Sequence, residues 1–212
     1  MAKKPTAEQR EAAVNEITYY GNELKKSIKL SFAFLCEEPK QIRNQVLDAA
    51  LGDGGNLEVT NGDWNDFFSA TKGVYYGSAE AVTKFQEAFK PSDKGVMKSN
   101  ESLKTALENL QKSQGILTKF HTQHAQMQLG QPDSSGWQTF SLPYITASGE
   151  SKKVEGRVRA DAAEAFSLSK RKSTRVVGSQ IPEDMEPLYK ALGDRAKILA
   201  PHLFEEQSKG RS

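Results

Sequence analysis

The sequence has very little cysteine and no long apolar run. Cys36 is the only cysteine among 212 residues, so no disulfide framework can form within the chain, and we expect a reducing compartment. No stretch reaches the roughly 18 apolar residues that a membrane-spanning helix needs, and the first residues lack the apolar segment of a secretion signal. The sequence therefore predicts a soluble, cytoplasmic protein with no membrane partner.

The usual signatures of catalysis are also missing. The chain contains no G-x-S-x-G, H-E-x-x-H or C-x-x-C pattern. His121 and His124 lie one helical turn apart and could share a metal, but two ligands do not complete a site. We read them as polar seam or surface residues. The sequence predicts no enzyme, no metal and no other cofactor.

Hydrophobic residues are scarce, at 37% of the chain, although glycine is not part of this figure. Globular domains more often have about 45–50% when glycine is included. A modest core and some apolar faces that need a partner follow from this composition. We therefore expect a homo-oligomer.

Helical patterns dominate the first part of the chain. Thr6 and Gln9 form a capping-box pattern, and Ala13, Ile17, Tyr20, Leu24, Ile28 and Leu35 then recur at helical spacing. This predicts a long first helix that ends at Pro39.

Turn residues then punctuate the chain. Asn61-Gly62 predicts a turn after a short extended segment, and Asp63 can cap the helix that follows. Gly77-Ser78 predicts a break in that helix, with Ser78 capping another one that ends by Pro91.

A 4-3 apolar spacing marks a further helix that begins near Ser99. The spacing predicts a bundle or coiled-coil seam that is leucine-rich early and polar later. Its members are Leu103, Leu107, Leu110, Gln114, Leu117, His121 and His124.

The last third of the chain is more mixed. The composition of 130–136 is typical of a linker, and the alternation in 137–145 predicts an edge strand or extended arm, since it contains Pro143. Residues 150–170 read as a helix broken by Gly156, and a short helix pair with a frayed tail follows.

The sequence thus predicts a mainly α helical bundle or hairpin with a small extended or β component around 137–146. We divide it into a helical, oligomerising region (1–130), a linker with an aromatic and basic segment (131–179), and terminal helices (180–212), which together form one compact domain.

Positive charge is concentrated near the end of that middle region. Residues 137–179 carry eight basic and four acidic side chains, whereas the whole chain has a formal net charge of only +2. Cations can neutralise phosphates, and flat aromatic side chains upstream can stack on unpaired bases. The candidate contacts to nucleic acid are Lys152, Lys153, Arg157, Arg159, Lys170, Arg171, Lys172 and Arg175, with Trp137, Phe140 and Tyr144 as stacking candidates.

With the helical first part and the segment "WQTFSLPY…KKVEGRVR…SKRKSTR", the chain resembles the single-stranded-DNA-binding RNA polymerase cofactor of short-tailed phages that infect Pseudomonas. The likeness is one of size, helical content and this segment rather than of a diagnostic motif. It implies a homo-oligomer in the host cytoplasm that holds melted promoter DNA and recruits a phage RNA polymerase. Such proteins are not five-stranded OB barrels, and this sequence also lacks the many short strands of that barrel.

Two readings of function remain open from the residues. In the first, the protein binds single-stranded DNA with low sequence preference. In the alternative, it is a helical structural or assembly protein with no nucleic-acid role, and its seams at 103–124 and in the first helix are its working surfaces.

Overall fold

The computed structural model of the chain describes residues 4–32, 57–124, 128–159 and 181–209. Cys36, the predicted end of the first helix at Pro39 and the cations between 170 and 175 lie outside these ranges. In chain order the described elements are α1 (Ala7–Phe32), β1 (Leu57–Asn61), α2 (Trp64–Ala88), α3 (Asn100–His124), β2 (Gln128–Leu129), β3 (Trp137–Ile145), β4 (Ser151–Arg159), α4 (Ile181–Leu199) and α5 (His202–Lys209). The prediction of a mainly α protein with a small β component is confirmed.

The chain divides into two compact units. The helical unit comprises Met1–Ile28, Ser78–Gln114 and Glu183–Ser212, and the sheet unit comprises Lys29–Gly77 and Gly115–Pro182. Helices α1, α2 and α3 each contribute residues to both.

Helix α1 begins as its sequence predicts. The Thr6 backbone N–H donates to Gln9 Oε1 (2.9 Å), and the Gln9 backbone N–H donates to Thr6 Oγ1 (3.2 Å), which is the reciprocal pair of a capping box. The apolar stripe also lies inward: Ile17 and Leu24 are buried. Tyr20 is half-buried, with the Arg195 guanidinium 4.8 Å from its ring centroid.

The start of helix α2 confirms the predicted turn and cap. Gly62 has a φ of 77°, which favours glycine, and Asp63 Oδ1 accepts from the backbone N–H groups of Asn65 (2.5 Å) and Asp66 (3.3 Å). The break predicted at Gly77-Ser78 is wrong, because α2 continues to Ala88. Ser78 is 1% exposed and lies on the buried side of the helix, and this burial outweighs the weak helix propensity of the pair.

Helix α3 carries the predicted seam. Leu103, Leu107, Leu110 and Leu117 are buried, whereas Gln114 is half-buried. The serine that precedes the helix caps it, since Ser99 Oγ accepts from the Ser102 backbone N–H at 3.3 Å. The side chain of His124 lies outside the described residues.

Three buried polar side chains link α1, α2 and α3 within the sheet unit. The Tyr75 hydroxyl is 2.7 Å from Ser31 Oγ and 2.7 Å from His121 Nε2, and all three residues are at most 5% exposed. His121 is therefore a core residue that is bonded to its neighbours. Across the described ranges, no group of three or more histidine, cysteine, aspartate or glutamate side chains is placed to hold a metal ion.

The sheet is antiparallel, with the strand order β1-β4-β3-β2. The helix predicted from 150 onwards is wrong for 151–159, which form strand β4. Val154, Gly156 and Val158 are buried between more exposed neighbours, and this two-residue period is that of a strand. Val154 and Val158 are also four residues apart, and this spacing explains why the segment was predicted as a helix. β1 runs so close beside β4 at Gly156 that a Cβ there would overlap the carbonyl oxygen of Glu58, so this position needs glycine.

Strand β3 is an inner strand that behaves as an edge over most of its length. β4 pairs with all of it, whereas β2 pairs only at Phe140 and Ser141. Pro143 lies opposite Lys153, beyond the reach of β2, so its missing N–H removes no bond to that short strand. At Pro143, β3 therefore has no partner on the β2 side, which is the situation expected for a proline in an edge strand.

The predicted terminal helix pair is also confirmed. Met185, Tyr189, Leu192, Ala196 and Leu199 recur at 4-3 spacing in α4 and are all buried in the helical unit. Burial raises the pKa of Tyr189 to about 12. Within the described residues, no helix combines the length and apolarity needed to cross a membrane.

Candidate nucleic-acid interface

The two faces of the sheet differ in character. Alternate residues of β3 and β4 point into the core of the sheet unit, among them Phe140, Leu142, Val154 and Val158. The residues between them form the other side, which we call the open face. It consists of Trp137, Thr139, Ser141, Pro143, Lys153, Glu155, Arg157 and Arg159, with Glu58 contributed by β1.

The strand register brings an aromatic ring and two cations together on the open face. Trp137 pairs directly with Arg159, and Arg157 is opposite Thr139. The guanidinium carbons of Arg157 and Arg159 lie 4.8 Å and 5.1 Å from the centroid of the Trp137 ring. Both distances are within the range of cation–π attraction. The sequence separates these residues by about twenty positions, and the hairpin between β3 and β4 joins them.

The segment before β3 is an ordered turn that orients Trp137. Asp133 Oδ1 accepts from the backbone N–H groups of Ser135 and Trp137, both at 2.9 Å, and from Ser135 Oγ at 2.8 Å. These hydrogen bonds hold the pKa of the Asp133 carboxyl below its ordinary value, and the bond from the Trp137 N–H contributes most. Gly136, with a φ of 81°, completes the turn. The carbonyl oxygen of Ser135 then accepts from Arg159 Nη1 at 3.0 Å.

Phe140 and Tyr144, two of the three predicted stacking residues, belong to the core. They are 3% and 2% exposed, and they contact the rings of Trp64 (5.8 Å between centroids) and Phe67 (5.5 Å), respectively. Burial, with a smaller contribution from nearby carboxylates, raises the pKa of Tyr144. A side chain enclosed in this way has no face to offer a base. Trp137 is half-buried on the open face, so it stays a stacking candidate.

Carboxylates partner the predicted cations on the open face. Arg157 Nε is 2.6 Å from Glu58 Oε2, and Lys153 Nζ is 2.8 Å from Glu155 Oε1. The hydrogen bond from Arg157 holds the pKa of Glu58 below its ordinary value, and the bond from Lys153 lowers the pKa of Glu155 in the same way. Arg159 differs from both, since the partner described for it is the neutral carbonyl oxygen of Ser135.

Lys152 does not join this group. By strand alternation it lies on the other side of β4 from Lys153, and it is exposed because it stands near the start of the strand. Its Nζ is 3.7 Å from Glu150 Oε2. Lys170, Arg171, Lys172 and Arg175 lie outside the described residues.

Glu58 and Glu155 are the residues that sequence reasoning missed. Glu155 could have been found, because Lys153, Glu155, Arg157 and Arg159 alternate with Val154, Gly156 and Val158 in the manner of a strand with one open side. Glu58 could not, since nothing near it in the sequence indicates that β1 lies beside β4.

Comparisons with protein-family models, with curated proteins and with solved structures gave no match for this chain.

Proposed function

We propose that this protein binds single-stranded DNA with low sequence preference on the open face of its sheet. The observation that carries the proposal is the position of Trp137 beside the guanidinium groups of Arg157 and Arg159 on a solvent-facing strand pair. Unpaired bases need a flat surface to stack on, and the phosphates that join them need cations close to it. The hydroxyls of Thr139 and Ser141, on the same face, add donors for phosphate oxygens.

The carboxylates on the open face are the main argument against this function. Two of its three described cations are already paired, which lowers the positive potential of the face. Water reaches both pairs, however: the Arg157 and Glu58 side chains keep 44% and 49% of their accessible surface, and those of Lys153 and Glu155 keep 53% and 32%, so water screens both attractions. A polyanion that presents several phosphates at once can therefore displace these partners.

Arg159 and Trp137 are the first contacts in this proposal, because Arg159 has no carboxylate to release from the described residues around it. Arg157 and Lys153 follow after exchanging their partners. The cations Lys170, Arg171, Lys172 and Arg175 lie outside the described residues and stay predicted phosphate contacts on the strength of the sequence alone. Phe140 and Tyr144 take no part.

A titration of a labelled oligothymidylate by fluorescence anisotropy, at several salt concentrations, tests the proposal. The logarithm of affinity should fall linearly with log salt, with a slope of about −0.7 per phosphate contact. Arg159→Gln should reduce the magnitude of that slope by about 0.7. Trp137→Ala should cost about 1–3 kcal/mol of binding free energy, with little change of slope.

A matched control uses the second tryptophan. Trp64 is buried against Phe68 and Phe140, away from the open face, so Trp64→Phe should bind as the wild type does. It also leaves Trp137 as the only tryptophan, whose fluorescence should be quenched by stacked bases. Equal binding of duplex and single strands, or unchanged binding by both Trp137→Ala and Arg159→Gln, would refute the proposed surface.

The resemblance to the phage cofactors is the ground for a wider proposal. In it the protein is a homo-oligomer that recruits a phage RNA polymerase to melted promoter DNA. Co-precipitation of purified polymerase with the protein, in the presence of a promoter with a melted bubble, tests this step separately from DNA binding.

Exposed apolar side chains favour the assembly function as a second candidate. Tyr19 and Leu30 on α1 are 61% and 52% exposed, and Tyr76 on α2 is 56% exposed. An assembly protein would bind its partner with little dependence on salt, and that binding would survive Arg159→Gln but fail in Tyr19→Ser or Tyr76→Ser.

A further inference from the structure

Two carboxylates of the open face occupy the same cationic groups that the proposed DNA phosphates would need. Glu58 accepts from Arg157, and Glu155 accepts from Lys153 while its other oxygen accepts from Asn61 Nδ2 at 3.0 Å. Both carboxylates therefore have fixed partners in the unbound protein. They lie on β1 and β4, directly beside the cations they hold.

From this geometry we infer that Glu58 and Glu155 act as built-in competitors of the nucleic acid, so that binding is an exchange of carboxylate for phosphate on Arg157 and Lys153. The inference rests on the proposed function and concerns regulation of the same site. Each cation thus has one anionic partner before binding, which is a carboxylate, and one after binding, which is a phosphate. The exchange also leaves each carboxylate close to the bound strand, where it repels the phosphates.

The exchange has a distinctive salt signature. A lysine or arginine that neutralises a phosphate releases a cation condensed on the nucleic acid, and this release makes affinity depend on salt. When that side chain leaves a carboxylate to reach the phosphate, the freed carboxylate stays beside the strand as a new negative charge, which retains a cation there and cancels most of the release. Arg157 and Lys153 therefore contribute little to the salt slope of the wild type, and they contribute fully once their carboxylates are neutralised.

The variants Glu58→Gln and Glu155→Gln test the inference with a labelled oligothymidylate. Each should bind about two- to five-fold tighter than the wild type near physiological salt, because a weak exposed ion pair no longer opposes binding. Each should also steepen the salt slope by up to about 0.7. Both side chains lie on the surface, so the circular-dichroism spectrum should not change, and either variant alone can carry the test.

Glu80→Gln is the matched control. Glu80 forms an exposed ion pair with Lys84 at 2.8 Å on helix α2, outside the sheet, and the change removes the same charge. Its affinity and slope should equal those of the wild type. Glu150→Gln is a second control, and its affinity and slope should also equal those of the wild type. Its partner, Lys152, is 3.7 Å away and by strand alternation does not lie on the open face.

A double-mutant cycle separates pairing from general charge. If Glu58 acts by holding Arg157, Glu58→Gln should give almost no further gain in an Arg157→Gln background. An equal gain with and without Arg157 would overturn the pairing mechanism. So would wild-type binding that neither Glu58→Gln nor Glu155→Gln tightens, and in that case the proposed function itself would stand. If the wild type fails to bind oligothymidylate at low salt, the proposed function fails, and the inference fails with it.

Discussion

Tyr189 offers the sharpest test of how the helical unit is packed. Its side chain is 6% exposed in α4, and among the described groups no well-aligned hydrogen bond reaches its hydroxyl. Burial raises its pKa to about 12, against an ordinary value of 10.0, and the nearby hydroxyls of Ser113 and Ser78 offset this only partly. Ser113 Oγ already donates to the Leu110 carbonyl oxygen at 2.9 Å.

The pKa shift sets both the direction and the size of a pH effect. Because the folded pKa is the higher one, the protonated phenol is favoured by folding. Its contribution to stability is fully present below pH 10.0 and is lost as the pH rises towards about 12. A shift of about two units at about 1.36 kcal/mol per unit amounts to about 2–3 kcal/mol.

The Tyr189→Phe variant removes this pH dependence, because phenylalanine has no proton to lose in that range. The free energy of unfolding of the wild type, measured by urea denaturation, should fall relative to the variant by about 2–3 kcal/mol across that alkaline range. Near neutral pH the variant should be equally stable, or up to about 2 kcal/mol more stable, because it no longer buries a poorly bonded hydroxyl. Parallel curves for the two proteins at high pH, or a variant clearly less stable at neutral pH, would refute the reasoning.

Three glycine substitutions test close approaches of the backbone, each by thermal or urea unfolding. Gly156→Ala should destabilise by about 1–3 kcal/mol or more, because the new methyl group overlaps the Glu58 carbonyl oxygen and forces β1 away from β4; an unchanged midpoint would contradict this packing. Gly77→Ala should stabilise by about 0.5–1 kcal/mol, since beyond its chain neighbours and the backbone of α2 no atom of the described residues lies within 4 Å of the added carbon. Gly21→Ala should be about 1–3 kcal/mol less stable than Gly77→Ala, because its methyl group displaces the Gln86 side chain; equal stabilities would count against this contact.

The sequence predicted the fold best where a local interaction determines it. The capping box of Thr6 and Gln9 and the cap at Asp63 involve residues at most three positions apart, and both form as expected. The leucine seam of α3 was equally visible, because an apolar stripe of that length fits few structures other than a helix. These features needed no knowledge of the rest of the chain.

The predictions failed where distant contacts decide the outcome. Ser78 stays helical because it lies on the buried side of α2, and 151–159 form a strand because β1 and β3 supply partners on both sides. At the candidate site, the sequence showed that the cations cluster, but it showed only partly which carboxylates and aromatic rings lie beside them. The alternation of β3 placed Phe140 and Tyr144 on one side and left Trp137 on the other, and the sequence did not show which side would be covered.

The hydrogen bonds among Ser31, Tyr75 and His121 can run in either direction. With the ring proton on Nδ1, Ser31 donates to Tyr75 and Tyr75 donates to the imidazole; with the proton on Nε2, each bond reverses by rotation of a hydroxyl hydrogen. No heavy atom has to move between these arrangements. The three helices thus remain fastened at this point whichever tautomer the ring adopts, and the two forms should differ in the nitrogen chemical shifts of His121 rather than in the packing around it.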